Sequence, residues 1–418
     1  MTTGVRETAV RSTGVRATAV RATGVRGAAV RGAAARSTGA ARPAVRGLDR
    51  PRVRMGLLLF GGIALLAGLD GALLLLGVSA PLMTARLAEV HGPLMVFGFV
   101  GTVVVLERAV AARKAWGYLS PAFLGLGGIA LISPLPPTVG KLFFVIGSAI
   151  LLGIYGEIWH RQASTSTAVQ FLGAVLGMVA TVLWLGGVPI PQLAPAMTLY
   201  LVLTIAGERL ELARISPSVD ARAELWLLVA ALGLTTATLV ALFSPSTGYP
   251  FLGAGMLGLT AWLFSHDVAT RLVRSRGLPR YMAACLLSGY VWLAVVGGIW
   301  LVGGPVYDGP AYDAMLHAVF LGFVISMIMA HAPTILPAVL RRPLPYRPLM
   351  YVPVALLQVS LLARIVWGDA GGSVQVVQWA GIANVAAVLL FVLIAVTSVI
   401  VGKPARAPRS GHTPKDTP

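Results

Sequence analysis

Histidine, aspartate and arginine set inside long apolar runs are the residues from which this chain's chemistry must come. His91 and His317 each lie about one helical turn into such a run, His91 after Arg86 and Glu89, His317 after Asp308 and Asp313. Polar groups at membrane depth are costly and tend to face a cavity, a partner or a cofactor. Neutral imidazole is a good ligand for iron, and a six-coordinate haem needs one imidazole on each face. Gly98, seven residues beyond His91, returns to the histidine's side of an α-helix after two turns and would leave room for a flat macrocycle. One reading of the site is therefore a b-type haem with His91 and His317 as axial ligands and Gly98 in its wall. The competing reading is a pair of imidazoles hydrogen-bonded to neighbouring helices, since polar side chains commonly tie bundles together.

The remaining polar residues add weaker candidates. His331 stands fourteen residues after His317, ~21 Å along a helix and only ~40° around it. A second haem at that level would need His160 or His266 opposite it; Pro333 and Pro337 make a polar residue at a broken helix end an equally natural reading. Asp70 and Arg364 interrupt runs at a level where they would pair with each other or meet haem propionates. Glu107-Arg108 and Glu208-Arg209 set acid beside base at the opposite ends of their runs and read as interfacial salt bridges. The chain has one cysteine, Cys285, so cysteine builds neither an intramolecular disulfide nor a zinc or iron-sulfur site.

The elements that must position these groups are apolar stretches long enough to cross ~30 Å of hydrocarbon at ~1.5 Å per residue. About twelve recur, at 55–77, 87–111, 117–135, 139–158, 168–187, 193–212, 224–243, 250–266, 281–303, 313–339, 349–367 and 374–401. With 57% hydrophobic residues and 11% charged ones, the chain reads as an all-α polytopic bundle in lipid. Its net charge of +18 does not indicate nucleic acid. Of the 33 Lys and Arg, all but Arg86, Lys141 and Arg364 fall on one side when the runs alternate across a membrane. That asymmetry predicts a cytoplasmic-membrane protein with both termini cytoplasmic. Residues 1–54 repeat Val-Arg and Ala-Arg units and are expected to form a disordered basic arm resting on anionic lipid; 402–418 read as a disordered tail.

Span 2 reads His91-Gly92-Pro93-Leu94-Met95-Val96-Phe97-Gly98-Phe99, and span 10 reads His317-Ala318-Val319-Phe320-Leu321-Gly322-Phe323. Within about twelve spans, these segments resemble the NnrS family and, more distantly, haem-copper oxidase subunit I. The likeness covers the architecture of 55–401 but motifs in two short segments only. It implies a haem-copper-oxidase-like bundle whose low-spin haem takes one ligand from span 2 and the other from span 10, acting with a gas ligand or an electron-transfer partner. The oxidases hold copper with histidines of spans 6 and 7, yet no histidine lies between His160 and His266. Copper and oxygen reduction are therefore not expected, and a binding or electron-transfer protein is expected before an enzyme. The NnrS likeness departs at Gly92, Pro93 and Leu94, where that family places a histidine and an acidic residue. Two other functions compete: a permease with Asp70, Arg364 and breaks at Pro333 and Pro337 lining its path, and a structural or assembly subunit that could dispense with the histidines.

Overall fold

A backbone inside hydrocarbon must satisfy its own amides and carbonyls, and a helix does so within one segment. In the computed structural model, which describes residues 51–82, 84–214 and 220–402, each of the twelve apolar runs is a helix. They are α1 (Pro51–Leu75), α2 (Ala85–Ala112), α3 (Ala115–Ile132), α4 (Pro137–Arg161), α5 (Thr165–Leu185), α6 (Ile190–Ala213), α7 (Ala221–Phe243), α8 (Pro245–His266), α9 (Leu278–Gly303), α10 (Gly309–Leu340), α11 (Pro348–Asp369) and α12 (Val374–Val401). Eleven are long and apolar enough to cross a membrane. The exception, α8, has the length, but Pro245, Ser246, Thr247, Gly248 and Pro250 dilute its first turns. The chain is a multi-pass helical membrane protein.

Sequential helices pack as neighbours, α3 on α4, α5 on α6, α8 on α9 and α11 on α12, while α12 returns to α1. The central helix is α6, buried along almost its whole length. Its approach to α5 depends on glycine: a Cβ on Gly173 would sit 2.9 Å from the Tyr200 carbonyl oxygen, and one on Gly207 2.7 Å from that of Ser166. Without a hydrophobic drive between helices in lipid, such backbone approach supplies the packing.

Two boundaries differ from expectation. Residues 51–54, assigned above to the basic arm, form the first turn of α1, a turn that accommodates proline. Arg54 is buried there, and its Nη1 donates to the carbonyl oxygens of Val339 at 3.1 Å and Ala338 at 3.4 Å. A cation thereby satisfies carbonyls at the C-terminal end of α10. The rest of the expected arm, 1–50, and tail residues 403–418 lie outside the described residues. In α10, Pro333 and Pro337 do not break the helix, which continues through both to Leu340.

Three stretches widen from α-helical to π-helical winding: Leu94–Gly101 in α2, Ala318–Ile325 in α10 and Arg364–Asp369 in α11. They begin three residues after His91, immediately after His317 and at Arg364 itself.

Candidate cofactor cavity

A π turn accommodates an extra residue and displaces every later side chain around the axis, and such turns concentrate at functional sites. All three stretches here border one cavity of about 500 Å³, walled by α1, α2, α6, α10, α11 and α12. That volume is in the range of cofactor pockets. His91 and His317 both line it, among Leu69, Met95, Met197, Leu316 and Phe320, with Asp313, Arg364 and Asn384 as polar neighbours. The structure thus brings together the two histidines singled out by their depth.

Each imidazole is held by a backbone carbonyl. His91 Nδ1 lies 2.7 Å from the Gly68 carbonyl oxygen, and His317 Nδ1 lies 2.8 Å from that of Asp313. Because a carbonyl only accepts, Nδ1 carries the hydrogen in both rings, and in the neutral imidazole Nε2 is then the nitrogen with the lone pair. Neither Nε2 has a hydrogen-bond partner among the described residues. This is the arrangement of a ligating histidine, in which the second nitrogen fixes tautomer and orientation. On the α1 side it requires close contact, since a Cβ on Gly71 would fall 2.4 Å from the Leu87 carbonyl oxygen and 3.4 Å from His91 Cβ.

Arg364 and Asp70 do not pair. Arg364 donates through Nε and Nη2 to Asp313 Oδ2, at 3.0 and 2.8 Å. Asp70 instead accepts from the Leu82 amide at 2.9 Å, closing the turn after α1, and is not on the cavity wall. Asp313 also places Oδ1 3.3 Å from His317 Nδ1, so one carboxylate joins the arginine of α11 to the histidine of α10. The signal for Asp313 was its place four residues before His317. Its arginine partner, fifty-one residues away, had no local signal. A Cβ on Gly381 would sit 2.7 Å from Arg364 Nη1, so α12 is bare where the guanidinium enters. One turn on, Asn384 accepts from Ser360 Oγ through Oδ1, while its buried Nδ2 has no partner among the described residues.

Gly98 and His331 are not part of this site. The π winding carries Gly98 away from the direction of His91, and it packs against Ala64 and Gly128, where an added Cβ would lie 3.0 Å from Ala64 Cβ. His331 has both ring nitrogens occupied, Nδ1 by the Met327 carbonyl at 2.8 Å and Nε2 by Arg209 Nη1 at 3.2 Å, leaving none for iron. Arg209 grips Asp267 with two bonds of 2.6 and 2.7 Å, and the Tyr290 hydroxyl donates to the same carboxylate at 2.6 Å. Burial opposes ionisation of Asp267, but these bonds outweigh it and hold the carboxyl below its usual range. His160 lines a separate cleft of about 350 Å³, and His266 stacks on Trp262.

Residues 54–400 match the model of a family described as a domain of unknown function, DUF8744. The chain belongs to that family. No curated protein matches it. The DUF8744 region begins at Arg54, the residue that clamps α10, and ends within the last turn of α12, so it coincides with the helical bundle and contains the whole cavity.

Proposed function

We propose that this protein binds one b-type haem in the cavity, with His91 and His317 as axial ligands, and serves in electron transfer or nitric oxide handling without a copper centre. The observation that carries this reading is the pair of imidazoles on one cavity, each with Nδ1 engaged by a carbonyl and Nε2 unengaged. Among the described residues no three His, Cys, Asp or Glu side chains are grouped to hold a metal ion. Two imidazoles are too few for most bare ions, whereas a macrocycle brings four nitrogens of its own. Arg364 and Asn384 supply donors suited to propionate carboxylates, and the apolar wall suits the ring. When bound, haem supplies one-electron exchange, or gas binding where an axial position opens; the chain's own residues orient the imidazoles and exclude water. The likeness of spans 2 and 10 to NnrS and oxidase segments points the same way. The distribution of Lys and Arg supports a cytoplasmic membrane with both termini cytoplasmic.

A permease for a small carboxylate is the second reading, favoured by the Asn384 Nδ2 in the same wall, which has no partner among the described residues. Substitution separates the two. His91→Ala and His317→Ala each abolish a low-spin haem spectrum, while His160→Ala and His331→Ala leave it in place. A bis-histidine spectrum unchanged in both of the first pair would overturn the assignment.

A further inference from the structure

The two imidazoles that face the cavity are held by different chemistry. His91 Nδ1 donates at 2.7 Å to the Gly68 carbonyl oxygen, an uncharged acceptor on another helix, α1. The described residues place no carboxylate at ion-pair distance from His91. His317 Nδ1 donates at 2.8 Å to the Asp313 carbonyl oxygen on its own helix, and Asp313 Oδ1 stands 3.3 Å from the same nitrogen. That carboxylate is anchored, because Arg364 Nε and Nη2 both donate to Oδ2, at 3.0 and 2.8 Å, and leave Oδ1 for the imidazole. Asp369, buried at the end of α11, brings a second carboxylate within electrostatic reach of His317, Asp313 and Arg364, so one guanidinium faces two acids on this side of the cavity.

A carboxylate beside the N–H of a ligating imidazole draws the hydrogen toward itself, raises the basicity of the other nitrogen and strengthens its bond to a metal; removing such a partner costs roughly 10–100-fold in metal binding. A neutral carbonyl does this less, since hydrogen bonds to a charged acceptor are about twice as strong. His317 is therefore the stronger donor of the two. Space is unequal in the same sense. A Cβ on Gly92, which lines the cavity directly after His91, would meet nothing within 4 Å, whereas Ala318 and Val319, directly after His317, are fully buried. Free volume for an incoming small molecule thus adjoins His91.

Given haem in the cavity, as proposed above, we infer that His317 is the permanent axial ligand, secured by Asp313 and Arg364, and that His91 is the exchangeable one, yielding its place on ferrous iron to a neutral diatomic gas. In that exchange the bond from His91 Nε2 to iron breaks and one from the gas molecule to iron forms, with no electron or proton transferred. Asp313 is a positioning residue, acting on iron only through His317. Carbon monoxide added to the reduced full-length protein in lipid nanodiscs tests this, read by resonance Raman spectroscopy. The wild-type carbonyl complex should match that of His91→Gly, whose iron keeps His317, and differ from that of His317→Gly. Without gas, the iron–histidine stretch of His91→Gly should fall when Asp313→Asn is added and recover with Asp313→Glu, while that of His317→Gly should not move. Asp313→Asn with both histidines present covers the case of a histidine variant that loses haem: it should raise the haem midpoint potential, because a less basic imidazole favours ferric iron less, and Asp313→Glu should restore it. A wild-type complex that matches His317→Gly, no carbonyl complex in the wild-type protein, or a potential unmoved by Asp313→Asn overturns this assignment of the two ligands and leaves haem binding standing. Absence of Soret absorbance from the wild-type protein overturns haem binding itself, and the assignment with it.

Discussion

At the residue scale, the site rests on backbone acceptors as much as on side chains. The Gly68 and Asp313 carbonyls decide which nitrogen of each histidine faces the cavity, and no residue type announces a carbonyl in a sequence. The histidines themselves were legible because imidazole is rare at membrane depth and the two occur at matching depths in spans running the same way. The Arg364–Asp313 pair was not, since it joins residues that only tertiary packing brings together. Gly71 makes the role of close approach testable. Gly71→Ala forces a Cβ against the Leu87 carbonyl, so α1 must move away from α2 and take the Gly68 acceptor with it. The expected cost is ~1–3 kcal/mol, as for overpacking elsewhere, seen as a lower midpoint in thermal unfolding in detergent together with a perturbed haem spectrum. An unchanged midpoint would show that the contact yields without consequence.

At the scale of elements, hydropathy was enough to find all twelve helices within a few residues, because the length of an apolar run and the thickness of a bilayer are set by the same dimension. Winding was not legible. The expectation for Gly98 followed from α-helical periodicity, and the π turn directly after Pro93 invalidated that count. The prolines misled in the other direction: Pro333 and Pro337 suggested a break, but α10 persists through both. The start of α1 was displaced because Arg52 and Arg54 read as the end of a basic arm, whereas Arg54 is buried against the end of α10. Hydrogen bonds from a charged group contribute ~1.5–3 kcal/mol. A chain starting at Met55 is therefore expected to be less stable than one starting at Pro51 by about that amount, and Arg54→Ala in the full chain should reproduce the loss. Equal unfolding midpoints for the two truncations would remove Arg54 from the account.

At the scale of the molecule, the histidine cavity lies toward the N-terminal end of α10 and the Arg209 network, which reaches His331, toward its C-terminal end. The proposed orientation puts the cavity nearer the outer face. Cysteines introduced singly at 308 and 341, in a Cys285→Ala background, test it with an impermeant thiol reagent on intact cells. Labelling is expected at 308 and not at 341, and the reverse pattern would invert the topology. Orientation is independent of the cofactor, whereas the proposed function depends on haem in the cavity. The absorption spectrum of the wild-type protein, purified in detergent from cells supplied with ample haem, reads its presence. A cavity that binds haem gives a Soret band, sharpened α and β bands on reduction, and one haem per chain. A protein that is pure, folded and helical but has no Soret absorbance would contradict it.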